Sequence, residues 1–288
     1  MIKVVEKTKI WFAISLFIIV IGMGFLATKG LNLGIDFKGG TTLDIKMNQQ
    51  FVKSDVDKII DKYAKEEYSS KTINDNKEID IIIKSDALSP EKTASMLKDI
   101  KTQFKSSVLL SQDTIGASIG SELKTKTVTA LIVAMLFMLV YVGFRFEFKF
   151  AASAIIALVH DILITVTVYA IFQIQVNATF IAAILTVVGY SINDTIVIFD
   201  RIRENQKIMR KASVEEITNT SVNQTMARSI NTVATVLICV IAVFAFVPSI
   251  RDLSFPLIFG IGVGCYSSIF IASPMWVLLK KRGKKARV

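Results

Sequence analysis

Cysteine and histidine are nearly absent: the chain has two of the first and one of the second in 288 residues. Cys239 and Cys265 both fall in apolar runs, and the one long polar segment has none. A disulfide framework and a Cys/His metal cluster are thereby excluded, and no metal site is expected. The phosphate-cradling pattern G-x-x-x-x-G-K-[ST] is missing, so nothing marks the chain as a nucleotide hydrolase. Charge is scarce too. Only 20% of residues are charged, while 52% are hydrophobic. These charges collect between long apolar runs, the pattern of an integral membrane protein. The net charge of +10 lies in short segments flanking those runs. Membrane topology and contact with lipid account for it, and no nucleic-acid partner is expected.

A membrane helix needs about 20 mostly apolar residues. Six stretches qualify, at roughly 10–28, 128–144, 150–172, 179–199, 230–247 and 257–279. The first has too long an apolar core for a cleaved signal peptide and no small-x-small site follows it. Lysine and arginine in short loops set the orientation. They are Lys3, Lys7 and Lys9 at the N-terminus, then Arg145 and Lys149 between spans two and three. Arg201, Arg203, Lys207, Arg210, Lys211 and Arg228 lie between spans four and five, and Lys280, Lys281, Arg282, Lys284, Lys285 and Arg287 form the tail. On the other side, "QIQVN" has no charge, and the loop before the sixth span has Arg251 as its one basic residue. Both termini are expected in the cytoplasm, with residues 30–126 outside. The chain then divides into 1–29 (N-terminus and first span), 30–126, 127–280 (spans two to six) and a basic tail, 281–288.

The outer segment balances 15 lysines against 15 acidic residues. "GGTTLDIKM" alternates as a strand, with Leu43, Ile45 and Met47 on one face. "SDVDKIIDKYAKEEY" is an amphipathic helix that gathers Val56, Ile59, Ile60 and Tyr63. "SKTINDNKEIDIIIKS" is a hairpin turning at its Asn and Asp residues. A second helix opens with Ser89 as N-cap and Pro90 at its first position, and "SSVLLSQDTIG" is a closing strand. The order β-α-β-β-α-β predicts a small α+β ferredoxin-like domain. No catalytic cluster is evident in it, so a binding or mechanical module is expected rather than an enzyme. Between spans four and five, "SVEE" (213–216) fits a capping box. It opens a short helix that runs from Val214 toward Arg228 and leads into the fifth span, read here as a surface-lying connector.

Ionisable groups inside spans are rare because inserting one costs roughly 2.5–3.5 kcal/mol. Asp194 lies six residues before Asp200, about 9 Å deep at 1.5 Å per residue. Ser191, Asn193 and Gly189 make its surroundings less apolar. Two readings stand: a carboxyl that takes up and releases a proton, or an Asp held protonated in a fixed contact between helices. Arg228, just before the fifth apolar run, can pair with Asp194 or snorkel to the headgroups. His160 and Asp161 fall near the middle of the third span. Neighbours on a helix point about 100° apart, so one is expected to face the fourth span and the other a second subunit, for a relay or for packing. Gly260, Gly264, Ser268 and Ala272 form a small-residue stripe that allows close helix packing.

"LGIDFKGGT" (33–41), "VGYSINDTIVIFDRIREN" (188–205) and "QTMARSINT" (224–232) together resemble the hallmark stretches of the SecD/SecF family, in its SecF branch. The likeness covers the whole chain and is highly specific. This family sits in the resistance–nodulation–division superfamily. The resemblance implies a six-span half that pairs with a SecD half into a twelve-span unit beside the Sec translocon channel (SecYEG-type). It implies use of the proton-motive force to promote export of unfolded polypeptides, with no cofactor. Asp194 and Arg228 match the family's proton-pathway residues, and Gly34, Asp36, Gly39 and Gly40 match its glycine motif. Gly39 and Gly40 suit a turn closed to other residues, which Asp36 and Lys38 help to shape. Two alternatives remain: a docking subunit without ion coupling, and half of a small-molecule efflux transporter. One carboxyl with Asn and Ser neighbours serves H+ or Na+ equally.

Overall fold

The computed structural model describes residues 2–65, 68–73, 77–84 and 88–285. The expected helix end at Glu66 and Glu67, the turn at 74–76 and the tail beyond 285 lie outside the described residues. Two compact units emerge: Leu33–Thr129, and a helical unit made from the chain on either side of it.

Within Leu33–Thr129, a single turn of helix, α2 (Ile35–Lys38), leads into β1 (Gly40–Lys46). Then follow α3 (Lys53–Ala64), β2 (Tyr68–Ile73), β3 (Glu78–Lys84), α4 (Pro90–Gln103) and β4 (Val108–Ile115). The sheet has the order β2-β3-β1-β4 with every pair antiparallel, the ferredoxin-like arrangement. Register pairs Leu43 with Ile81 and Ile45 with Ile79. Alternate residues then share one face, and Leu43, Ile45, Met47, Ile79, Ile81 and Ile83 are all buried against α3 and α4. Ser89 caps α4, its hydroxyl accepting from the Lys92 N–H, with Pro90 behind it. Tyr63 of α3 donates to Asp99 of α4 at 2.8 Å, and this bond raises the phenol above its usual pKa. Leu43 is 0% exposed at the centre of this core. Leu43→Ala is expected to destabilise the unit by about 2–5 kcal/mol, the cost of a buried cavity. Limited proteolysis of the full chain should then cut first within 33–129. An unchanged cleavage pattern would show that Leu43 does not hold the core.

Among the described residues, six helices are long and apolar enough to cross a membrane. They are α1 (Thr8–Lys29), α5 (Ala117–Arg145), α6 (Phe148–Phe172), α7 (Ala178–Ile208), α8 (Val214–Phe246) and a broken sixth. The sixth runs as α9 (Arg251–Ser267), a π-helical turn (Ser268–Ala272) and α10 (Ser273–Lys285). Buried apolar side chains concentrate on α6, α7 and the sixth span, where Trp276 stacks on Phe150 at 4.7 Å and 14° and Phe150 meets Phe199 at 4.8 Å. By contrast α1, α5 and α8 are mostly uncovered.

The connector between spans four and five differs from expectation. Ser213 does cap a helix, its Oγ accepting from Glu216 N at 3.1 Å. That helix leads into the fifth span as expected, in one unbroken run of 33 residues, α8. Its first turns are not surface-lying, because Ile217, Thr218, Ser221 and Val222 are buried. Asn205 of α7 donates to Ser221 and Gln224 there. Asn219 receives the N–H groups of Val4 and Val5 and donates to Glu6, while Asn223 bonds both backbone groups of Ile2. The basic segments gather at this same end. Arg145 reaches Asp200 at 3.8 Å, Lys280 reaches Glu147 at 2.8 Å, and Lys281 meets Glu215.

Candidate functional site: buried carboxyls in the helical unit

Asp161 is 0% exposed at the middle of α6, and its partners come from three directions. Oδ2 accepts from Ser191 of α7 at 2.5 Å and from Ser267 of α9 at 2.7 Å. Oδ1 lies 2.9 Å from Nδ1 of His160. The other ring nitrogen, Nε2, lies 2.9 Å from Ser15 of α1. As expected, one of the two adjacent residues faces the fourth span: Asp161, through Ser191. His160 turns to the first span instead, and the two side chains also meet each other, because an Asp and an imidazole are long enough to bend back across the 100° step.

Asp194 of α7 is 4% exposed. It lies beside Ser229 and Arg228 of α8 and Cys265 of α9. Its Oδ2 and the Ser229 hydroxyl are buried without a hydrogen-bond partner among the described residues. Arg228 is exposed, yet it acts on the Asp194 carboxyl as a nearby positive charge, without a direct salt bridge among the described residues. Ser229, one residue on and about 100° round the helix, is the buried α8 side chain beside Asp194. Asn193 is exposed on the outer face of α7, where it borders an open hollow with Thr186, Gly189 and Tyr190.

Small residues permit these contacts. A Cβ on Gly260 would fall 2.3 Å from Val187 Cγ2, and one on Gly264 3.1 Å from Ser191 Cβ. Ser268 bonds Thr195 Oγ1 at 2.8 Å and donates to the Ser191 carbonyl at 3.2 Å. The stripe therefore lets the sixth span lie close enough for Ser268 to reach α7 and Ser267 to reach Asp161 of α6. Sequence reasoning passed over Ser15, Tyr266, Ser267 and Ser229. For the three serines, the available signal was a small polar residue in or beside an apolar run.

The glycine motif lies in the other unit. Gly34 precedes α2, which carries Asp36 and Lys38, and Gly39 and Gly40 take φ +80° and +136°. Gly39 sits against the backbone of Ala117, and Gly120 against that of Phe37 and Gly39. The motif thus docks the start of β1 on the first turn of α5.

Six membrane-crossing helices with carboxyls buried among them define a multi-pass membrane protein that carries ionisable groups in its interior. The family described as "Protein export membrane protein SecD/SecF, C-terminal" matches residues 93–282, and the "SecD/SecF GG Motif" matches 24–50. A protein translocase subunit SecF of Sebaldella termitidis is 35% identical over 99% of this chain and 97% of its own length. Another, from Haemophilus influenzae, is 37% identical over 92% and 82%. The crystal structure of SecDF, a translocon-associated membrane protein from Thermus thermophilus, superposes with a TM-score of 0.88 at 32% identity. The match takes in 96% of this chain but only 38% of that one. SecDF in a super-membrane-facing form gives 0.74. The chain belongs to the SecD/SecF family.

Proposed function

We propose that this chain is the SecF-type half of an ion-coupled accessory to the protein translocase. It acts with a SecD-type half, beside the translocon channel, to promote passage of unfolded polypeptides across the cytoplasmic membrane. The positive-inside rule puts the basic end of the helical unit, with both termini, in the cytoplasm and Leu33–Thr129 outside. Two observations support a second half: this chain spans 38% of the solved SecDF chain, and the hollow at Gly189 and Asn193 is open.

Asp194 carries the reading. It is 4% exposed inside a span and has one carboxyl oxygen without a partner among the described residues. Such a group costs several kcal/mol unless its charge changes or a partner comes to it. A carboxyl that cycles its proton as Arg228 approaches and withdraws gives that cost a use. His160 and Asp161 belong to the same pathway. H+ is the proposed coupling ion and Na+ the competitor. Export into membrane vesicles holding the chain, with proton and sodium gradients set separately, tests this. Stimulation is expected to follow the proton gradient alone. Stimulation that survives collapse of both gradients would reduce the chain to a docking subunit.

A further inference from the structure

We propose that His160 and Asp161 form a second proton-loading site, separate from Asp194, and that Ser15 reports its state to α1. The proposal rests on the ion-coupled reading and extends it.

The argument is a count of protons along a buried chain. At its far end stands the Trp11 carbonyl, which can only accept. The Tyr266 hydroxyl donates its one proton there at 2.9 Å. Its oxygen is then free to accept from Ser15, 3.3 Å away. With the Ser15 proton so used, the Ser15 oxygen accepts from Nε2–H of His160 at 2.9 Å. A further proton occupies the 2.9 Å gap between Nδ1 and Oδ1 of Asp161. His160 and Asp161 together are then neutral, the loaded state. When one proton leaves to water, the other settles on Nδ1 and faces a carboxylate, and Nε2 keeps a bare lone pair. A neutral imidazole is a donor at one nitrogen and an acceptor at the other. The Ser15 hydroxyl therefore turns from Tyr266 to Nε2. The pair now has charge −1, held by Nδ1–H and by the hydroxyls of Ser191 and Ser267.

The His160–Ser15 bond thereby reverses its direction, and the Ser15–Tyr266 bond, at 3.3 Å the longest of this hydrogen-bonded series and a tie from α1 to α9, is lost. The loss of a proton in the middle of α6 thus loosens one tie between two other spans. The groups facing the pair are Ser15 and Trp11 from α1, Ser191 from α7, and Tyr266 and Ser267 from α9. Asp194 lies one turn beyond Ser191, and no lysine or arginine bonds the pair among the described residues.

The chain contains one histidine, so nitrogen-labelled histidine gives solid-state NMR a single ring to follow. The probe is the full chain in lipid bilayers, taken from about pH 5 to about pH 9. Nε2 is expected to hold a proton at the acid end and lose it at the alkaline end, while Nδ1 keeps one. In Asp161→Asn the ring should hold Nε2–H throughout, because no carboxylate remains to draw the proton to Nδ1. In Asp194→Asn the switch should persist. A wild-type Nε2 unchanged across the range overturns the proposal, and that result needs no variant to fold. A switch lost in Asp194→Asn overturns the claim of a separate site. A switch that persists while export ignores every gradient sinks the coupling reading alone.

Discussion

Asp194→Asn is expected to remove essentially all gradient-dependent stimulation of export while the chain keeps its fold. An amide has the shape of the carboxyl and can still meet Ser229 and Cys265, the neighbours of Asp194. It cannot take up or release a proton at any ordinary pH. Stability should be unchanged or slightly improved, because a neutral amide in a span carries a smaller insertion cost than an ionisable group. Loss of function without loss of stability is the signature that separates the two readings left open by the sequence. If Asp194 only made a fixed helix contact, Asn would serve nearly as well and export would continue. Export measured beside thermal melting of the same preparation decides between them. Arg228 adds a second arm. It is exposed here, so Arg228→Lys keeps a positive charge at that position and is expected to retain part of the stimulation. Arg228→Ala is expected to retain none.

Much of this was legible before any coordinates. In the sheet unit, local signals agreed with one another: the alternation at Leu43, Ile45 and Met47, the Ser89–Pro90 start, and the polar segment bounded by apolar runs. Such agreement across levels is what makes a segment readable. The six spans followed from composition, and the basic segments at 145, 201–211 and 280 do meet at one end of the helical unit. Which side chain faces which is less legible. Equal depth does bring the charge of Arg228 near Asp194, but depth says nothing of rotation about the helix axis, and Ser229 holds the buried position. Asp161 faces the fourth span as expected, while Cβ directions do not foresee its bond to His160, which side-chain length allows. The burial of the first turns of α8 is not legible either, because a capping box marks where a helix begins and not what covers it. Nor does sequence periodicity mark the π turn at Ser268–Ala272, whose irregularity arises where the sixth span crosses α6 and α7.

The largest structural effect is expected at Gly39. Its φ of +80° with ψ of 165° falls in a region open essentially to glycine alone. Any other residue there costs about 1–3 kcal/mol of backbone strain. The added Cβ would also lie 2.8 Å from both N and Cα of Ala117. These are backbone atoms, so no rotamer change relieves the contact; α5 or β1 must shift. Gly39→Val is therefore expected to destabilise Leu33–Thr129 by on the order of 3 kcal/mol before the clash is counted. Gly116→Ala is the matched control. It lies beside the same contact, yet a Cβ there meets nothing within 4 Å. Thermal melting and protease resistance of the full chain should separate the two variants clearly. Equal stability would mean that the glycine pair is not needed for its backbone. The consequence reaches past the sheet, because Ala117 opens α5 and the same helix continues as the second span. A side chain at position 39 displaces the first turn of a membrane-crossing helix. Partial loss of export from a folded Gly39→Ala protein would place the motif in the coupling between sheet unit and membrane, whereas full export from a folded variant would confine it to stability.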